Sequence, residues 1–371
     1  MHFSEFDFHP QIAAGIKACG YTQPTPIQEQ AIPHALTGGD VMGLAQTGTG
    51  KTAAFALPIL ERLLQGRRGR PRSLILAPTR ELAEQTFEFL QPFCRKTGLR
   101  AVTVYGGVSK PAQASRIRSG VDIVVACPGR LLDLVNDRAV NLSHIQSLVL
   151  DEGDRMLDMG FMPDIRRILD LLPVKRQSML FSATMPADIR CLAEEILHNP
   201  AWVQVDHEQP LDNISQCLYP VQRMPKQQML LTLLGAKEDE ATLVFTRTKH
   251  MATKLAKRLS SAGLRAKDLQ GNMSQNNRRR VLQDFKNGGF NILVATDVAS
   301  RGIDVTRIAH VINYDMPDTP ENYTHRIGRT GRLARSGLAS SFVESKDFRL
   351  VKAIERGQDR RLQRKSLKMP A

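Results

Sequence analysis

The chain has 371 residues, with 51 Lys and Arg against 37 Asp and Glu and a formal net charge of +14 at neutral pH. That length exceeds what one compact core supports and predicts two domains, while the basic balance favours a polyanionic partner such as nucleic acid. No stretch approaches the roughly 18 uninterrupted apolar residues of a membrane span, and MHFSEFDFHP lacks the basic flank and apolar core of a signal or transit peptide.

Five scattered cysteines (Cys19, Cys94, Cys127, Cys191 and Cys217) form no C-x-x-C pair. Reduced, mostly buried thiols in a cytoplasmic protein are expected of them, rather than disulfides or zinc.

Along the chain, VMGLA (41–45) is the first apolar run that reads as a strand. It feeds AQTGTGKT (Ala45 to Thr52) and then the helical AAFALPILERLL. A loop in that context wraps backbone N–H groups around a phosphate, and the following helix adds its partial positive charge. Lys51 is placed to reach the β- and γ-phosphates of ATP, and Thr52 to ligate Mg²⁺. A plain glycine-rich turn is the alternative.

SLILAP (73–78), AVTVY (101–105), VDIVVAC (121–127), SLVLDE (147–152) and SMLFSAT (178–184) follow as further strands. Amphipathic stretches such as Arg80 to Phe93 and Asp164 to Leu172 separate them. Strands apolar throughout and alternating with helices predict an α/β fold, a parallel sheet covered by helices on both faces.

Within this series LVLDEGDRMLDMGF (148–161) turns abruptly acidic. By itself it is an ordinary strand running into a turn. A phosphate loop, however, needs a carboxylate on a neighbouring strand end. Asp151 therefore becomes the candidate Mg²⁺ ligand, and Glu152 the residue that orients or deprotonates the attacking water.

Proline and acidic residues gather in 198–215, and a second α/β rhythm then begins, with ATLVFT (241–246), NILVATD (291–297) and AHVINYD (309–315) as strands. The expected domains are 1–205 and 213–345, with a linker at 206–212. From Lys346 to residue 371 a basic helix is expected to fray into a tail.

With the phosphate loop and the acidic strand end established, the chain resembles the DEAD-box RNA helicases over roughly residues 3 to 343. Phe3 and GYTQPTPIQ (20–28) resemble the adenine-reading Q motif. PTREL (78–82), GG (106–107), PGR (128–130), DEGD (151–154) and SAT (182–184) follow in the family's order. VFTRT (244–248), QGNMSQNNR (270–278), TDVASRGID (296–304) and HRIGRTGR (325–332) complete it. DRMLDMGF is similar in particular to the bacterial RhlE group.

The resemblance implies two tandem RecA-like domains and an ATP-dependent RNA helicase. Such an enzyme hydrolyses ATP to drive closure on RNA, local duplex unwinding and RNA release. Phe3 and Gln28 would hold the adenine, and Asp304 the ribose. Ala45, Gln46, Thr47, Gly48, Thr49, Gly50, Lys51 and Thr52 would hold the phosphates. Arg329 and Arg332 would act as arginine fingers from the second domain. Ser182 and Thr184 would couple ATP state to RNA state, joined by Asp154 and His325.

Pro78, Thr79, Arg80, Gly107, Gly129, Arg130, Gly271, Arg278 and Thr296 match positions that hold the RNA sugar-phosphate backbone. Such contacts carry little sequence information. Partners in ribosome assembly or RNA decay fit the sequence equally, and no membrane partner is expected. An RNA clamp with feeble hydrolysis and a DNA translocase are the competing classes. The Q motif and the absence of large insertions argue against the translocase.

Three positions depart from the family's pattern. Cys127 stands for a usual Thr, Gln270 for a common His, and Gly153 for Ala. Ala at 153 is expected to stiffen the loop and raise activity modestly, unless Gly153 lies at positive φ.

Overall fold

The computed structural model describes residues 1–46, 48–205, 213–221, 224–235, 240–297, 305, 307–331 and 336–367. The chain divides into two compact units, Met1–His207 and Glu208–Ala371. The expected linker 206–212 lies outside the described residues, as do Thr47, Asp304 and Arg332.

In the first unit the strands are β1 (Val41–Leu44), β2 (Ser73–Leu76), β3 (Ala101–Val104), β4 (Ile123–Ala126), β5 (Ser147–Leu150), β6 (Gln177–Ser182) and β7 (Ala201–Gln204). They form one sheet in the order β3-β4-β2-β5-β6-β1-β7, and its described pairings are parallel. Successive side chains of a strand point to opposite faces, so the sheet feeds two cores. Val41, Ile75, Val125, Val149 and Phe181 enter one, and Met42, Leu74, Val124, Leu148 and Leu180 enter the other. Both faces are covered, as the continuous apolar runs require.

In the second unit β8 (Ile214–Pro220), β9 (Thr242–Phe245), β10 (Ala266–Leu269), β11 (Ile292–Ala295), β12 (His310–Asn313), β13 (Gly337–Val343) and β14 (Gln363–Arg364) form a second parallel sheet, ordered β10-β11-β9-β12-β13-β8-β14. Among the described residues, no helix is long and apolar enough to cross a membrane.

Two expectations need correction. The segment from Lys346 does not simply fray. The helix Phe348–Gly357 buries Val351 and Ile354 in the core of the second unit, Leu362 joins them, and β14 pairs with β8. The basic residues lie on the outer face of an integral element, because the apolar positions 351, 354 and 362 hold it down. The thiols are also less uniformly buried than expected: Cys94 and Cys217 are buried, Cys127 is half-buried, and Cys19 and Cys191 are exposed.

Candidate active site

Parallel strands deliver the loops that follow them to one edge of a sheet, where ligands of open α/β folds bind. In the first unit that carboxyl edge gathers the segments after β1, β2, β4, β5 and β6. The strand order adds something the sequence does not display: β6 lies between β1 and β5. The SAT segment therefore sits between the phosphate loop and the acidic strand end. Ala45 N–H donates to Ser182 O at 2.9 Å, fastening the loop to it.

The phosphate loop turns through Gly48 and Gly50 at φ 91° and 94°, and Gly50 caps the helix Lys51–Leu63. A Cβ at Gly50 would also lie 2.3 Å from Gln28 Nε2, so glycine is required there by both φ and space. Gln28 is buried, and its amide donates to Gly50 O at 3.0 Å while accepting from Thr25 N–H at 2.9 Å. It braces the loop, which is more than the adenine contact expected of it. Phe3 lies in the apolar core against Phe6 and Tyr21.

Lys51 is 5 % exposed and its ammonium donates to Ala45 O at 2.7 Å. Thr49 Oγ1 donates to Gln46 O at 2.8 Å, and Thr52 is half-buried on the first turn of the helix.

Asp151 is buried at the end of β5, and its Oδ1 has no hydrogen-bond partner among the described residues. Burial pushes its carboxyl up to about 7, with Glu152 and Asp154 adding to the rise and the Lys51 ammonium opposing it. Glu152 adopts a left-handed conformation at φ 55°, which a non-glycine residue adopts at a cost. Its buried carboxylate pairs with Arg155, one helical turn on. Arg155 was not singled out in the sequence, although the spacing of Glu152 and Arg155 is that of an i,i+3 pair.

Gly153 itself is not at positive φ; it opens the helix Gly153–Asp158. The obstacle to Ala is packing, because a Cβ there would come within 2.9 Å of Leu180 Cδ1. That methyl belongs to a fully buried side chain of β6 and has to shift. Gly153→Ala is accordingly expected to leave ATP affinity unchanged and to lower stability by about 1 kcal/mol. Turnover should stay within about twofold of native, stiffening and crowding offsetting each other. Thermal unfolding and RNA-stimulated ATPase assays check this; a severalfold gain would show that Leu180 yields freely.

Asp154 binds the SAT segment directly. Its Oδ2 accepts from Thr184 N–H and Oγ1, each at 3.0 Å. Ser182 Oγ accepts from Asp154 N–H at 3.2 Å and donates to Thr184 O at 2.8 Å. The coupling residues proposed from sequence within this unit form one closed network.

Farther along the edge, Thr79 caps the helix Arg80–Thr97 by accepting from Leu82 N–H at 3.3 Å; Pro78 beside it is buried. The Arg80 guanidinium lies against Gly107, where a Cβ would sit 2.2 Å from Nη1. Arg130, near the start of the helix Pro128–Asn136 beside Gly129, donates to Val108 O at 3.1 Å. Cys127 caps that helix without a side-chain bond. Burial, aided by Glu81, pushes its thiol up to about 12 against the pull of Arg80, so it is a neutral thiol at physiological pH.

In the second unit Gly271 and Thr296 follow β10 and β11, at that sheet's carboxyl edge. Arg278 is buried on the helix Gln275–Lys286. His325 lies on the helix Pro320–Ile327, with buried Arg329 just beyond it. The neighbouring Arg326 was passed over in the sequence. Its guanidinium pairs with both Asp297 oxygens at 2.6 Å and donates to Asn313 Oδ1 at 3.0 Å and Asp315 O at 2.6 Å. It ties the ends of β11 and β12 together.

Residues 25–192 match the family model described as DEAD/DEAH box helicase, and residues 225–334 that of the helicase conserved C-terminal domain. An "ATP-dependent RNA helicase CshA" of Listeria monocytogenes is 42 % identical over 362 residues, 97 % of this chain and 69 % of that protein. A "DEAD-box ATP-dependent RNA helicase CshA" of Streptococcus pneumoniae is 43 % identical over 356 residues, 96 % of this chain and 68 % of that protein. Among solved structures, S. cerevisiae Dbp5 bound to RNA and ADP BeF3 has a TM-score of 0.88 at 33 % identity, covering 98 % of this chain and 95 % of its own. A DEAD box protein from the hyperthermophile Methanococcus jannaschii has a TM-score of 0.55 at 36 % identity, with 99 % of each chain covered. With the phosphate loop, the acidic strand end and the SAT network on one sheet edge, these matches establish that the chain belongs to the DEAD-box family of RNA helicases.

Proposed function

We propose that this chain is an RNA-stimulated ATPase that hydrolyses ATP to ADP and phosphate and uses the cycle to separate short RNA duplexes. The observation that carries this is the continuous connection across β1, β6 and β5. Ala45 is bonded to Ser182, Ser182 to Asp154, and Asp154 to Thr184, while Lys51, Asp151 and Glu152 lie at the same edge. A change at the phosphates therefore has a direct mechanical route to the SAT segment.

In this reading Lys51 holds the phosphates, and Glu152 positions water for attack and accepts its proton. Asp151 and Thr52 hold Mg²⁺. The unpartnered, buried Oδ1 of Asp151 fits a cation ligand, since a bare buried acceptor is otherwise costly. Bound Mg²⁺ supplies charge neutralisation on phosphate oxygens. Thr79, Arg80 and Arg130, at or near two helix N-termini, take RNA phosphates, and a cytoplasmic location accords with the reduced thiols.

ATP turnover measured with and without RNA, alongside unwinding of a short duplex, tests the proposal. Stimulation and strand separation are expected. Tight RNA binding without turnover would favour a passive clamp instead.

The raised Asp151 carboxyl has a consequence for the nucleotide-free protein. The fold binds this proton more tightly than an unfolded Asp does, so the stability it contributes is complete below pH 3.8 and is lost as pH rises through about 7. Asp151→Asn has no such dependence. Urea unfolding should find the variant gaining on the native protein by on the order of 3 kcal/mol across that window. Parallel stability profiles would show that Asp151 is not destabilised by its burial.

A further inference from the structure

At the amino edge of the first sheet, opposite the edge that carries the phosphate loop, three segments lead into β3, β4 and β2, which neighbour one another in that order. They read RKTGLR (95–100), RIRSGVD (116–122) and QGRRGRPR (65–72), and Asp122 is the only carboxylate among them. That carboxylate is buried and holds all three together. Its Oδ1 accepts from Gly69 N–H at 3.2 Å and from the Arg72 guanidinium at 3.1 Å, and its Oδ2 from Arg100 N–H at 3.0 Å. Gly69 and Gly120, both at positive φ, pack so closely that a Cβ at Gly120 would lie 3.3 Å from Gly69 Cα.

The result is a concentration of cations with no exposed carboxylate of its own. Arg67, Arg68, Arg95, Lys96, Arg100 and Arg118 are exposed, while the charge of Asp122 is matched by buried Arg72. Glu61 and Asp137, on adjoining elements, are engaged elsewhere: Glu61 accepts from His9 N–H at 2.9 Å, and Asp137 pairs with Lys110 at 2.6 Å. Structural duties account for part of the cluster. Arg68 donates to Thr97 O and Arg100 to Ser119 O, each at 3.0 Å, at the ends of the helices Arg80–Thr97 and Lys110–Arg118, where a cation complements the helix dipole. The side chains of Arg67, Arg95 and Arg118 have no such bond, entering no hydrogen bond or ion pair among the described residues. Like charges gathered at one edge repel one another, and an opposing polyanion relieves them.

We infer that this edge is a second RNA-binding surface, which takes the phosphate backbone of RNA flanking the segment held at the carboxyl edge. It rests on the RNA-helicase reading and goes beyond it, since Thr79, Arg80 and Arg130 follow their strands at the opposite edge. The exposed cations are mostly arginines, whose guanidinium pairs bidentately with phosphate. Neighbouring strands lie about 4.8 Å apart, so the three segments span roughly 10 Å before side-chain reach is added. Arg70 carries the surface on, its Nη1 lying 3.4 Å from His144 Nε2 on the segment before β5. That width suits successive phosphates of one strand rather than a single anion. The segments expose no large apolar side chain, Leu99, Ile117 and Val121 being buried. The surface thus lacks the apolar anchor of a protein interface or of a membrane-lying element, and its contacts are of the kind that hold a nucleic-acid backbone without reading sequence.

The test uses the full-length chain and two RNAs, a short single strand that one edge can hold and the same strand extended by a hairpin. The triple variant Arg67→Ala/Arg95→Ala/Arg118→Ala removes three exposed side chains and leaves the core alone. It is expected to bind the extended RNA about tenfold more weakly and to flatten the slope of log affinity against log salt by about 2, the counterions of three phosphates. Binding of the short strand, and the ATP turnover that it stimulates, should stay native, which also shows that the variant is folded. Equal weakening of both RNAs, or unchanged binding of the extended one, would overturn the inference. Polyglutamate that displaces the extended RNA from the native protein as well as unlabelled RNA does would overturn it in favour of an acidic protein partner. Vesicles of phosphatidylserine and phosphatidylcholine that sediment the native protein but not the variant would overturn it in favour of a membrane. The helicase reading fails separately: native protein that binds the extended RNA through these arginines yet turns over no ATP would sink that reading and leave this surface standing.

Discussion

Glu152→Gln is expected to lower RNA-stimulated ATP turnover by roughly a hundredfold or more while leaving ATP affinity close to native, the signature of a lost general base. Gln keeps the shape and can still orient water, but it cannot take a proton. The variant has a second effect that a base in solvent would not have. Glu152 is paired with Arg155 inside the protein, and a neutral partner leaves that guanidinium with one weaker hydrogen bond in place of an ion pair. Stability should fall by about 1–3 kcal/mol. Steady-state ATPase, nucleotide binding and thermal unfolding on one preparation separate the two effects. Turnover near the native rate would remove Glu152 from the role of base. Lost turnover accompanied by equally lost ATP affinity would make the residue a scaffold for the loop.

Arg155 also illustrates what the sequence conceals. The phosphate loop and DEGD are legible because each has a local pattern tied to a strand end. The central strands are legible because both faces are buried and apolar residues fill most of their positions, as in Leu74–Leu76, Ile123–Ala126 and Leu148–Leu150. Legibility fails at the sheet edges. In β10, Lys267 and Asp268 interrupt the apolar pattern where, among the described residues, β11 alone neighbours the strand, and β7 exposes Trp202 and Gln204. It fails also inside the second sheet, where β8 and β13 carry Gln216, Ser340 and Ser341 inward, polar residues that make sense only once their partners on other elements are in place: Tyr323 for Gln216, His310 for Ser340 and Asn313 for Ser341.

The restraint on Gly153 is invisible for a different reason. It comes from Leu180, on a strand reached 27 positions later in the chain, and no local propensity carries such a contact. Gln28 is the intermediate case. Its motif marks it as functional, but its bond to Gly50 O shows that it also shapes the phosphate loop.

Lys51→Ala is expected to weaken ATP binding by at least about a hundredfold, the cost of losing one charged hydrogen bond of about 3 kcal/mol to the phosphates. The geometry argues for a loss beyond that figure. Lys51 is one of the groups that restrain Asp151, its ammonium opposing the burial that drives the carboxyl up to about 7. Without that ammonium the carboxyl rises further and stays protonated at neutral pH, and a protonated carboxyl is a poor ligand for a cation. One substitution thus removes a phosphate contact and disables its neighbour. The two parts are separable by pH. The direct contact is lost at every pH, whereas the contribution of Asp151 returns as alkali removes its proton. Binding of a fluorescent ATP analogue with Mg²⁺ to Lys51→Ala should therefore strengthen as pH rises from neutrality. The native protein, whose Asp151 is already largely ionised above pH 7, should change less. A variant whose deficit is the same at all pH values would show that Lys51 acts on the phosphates alone.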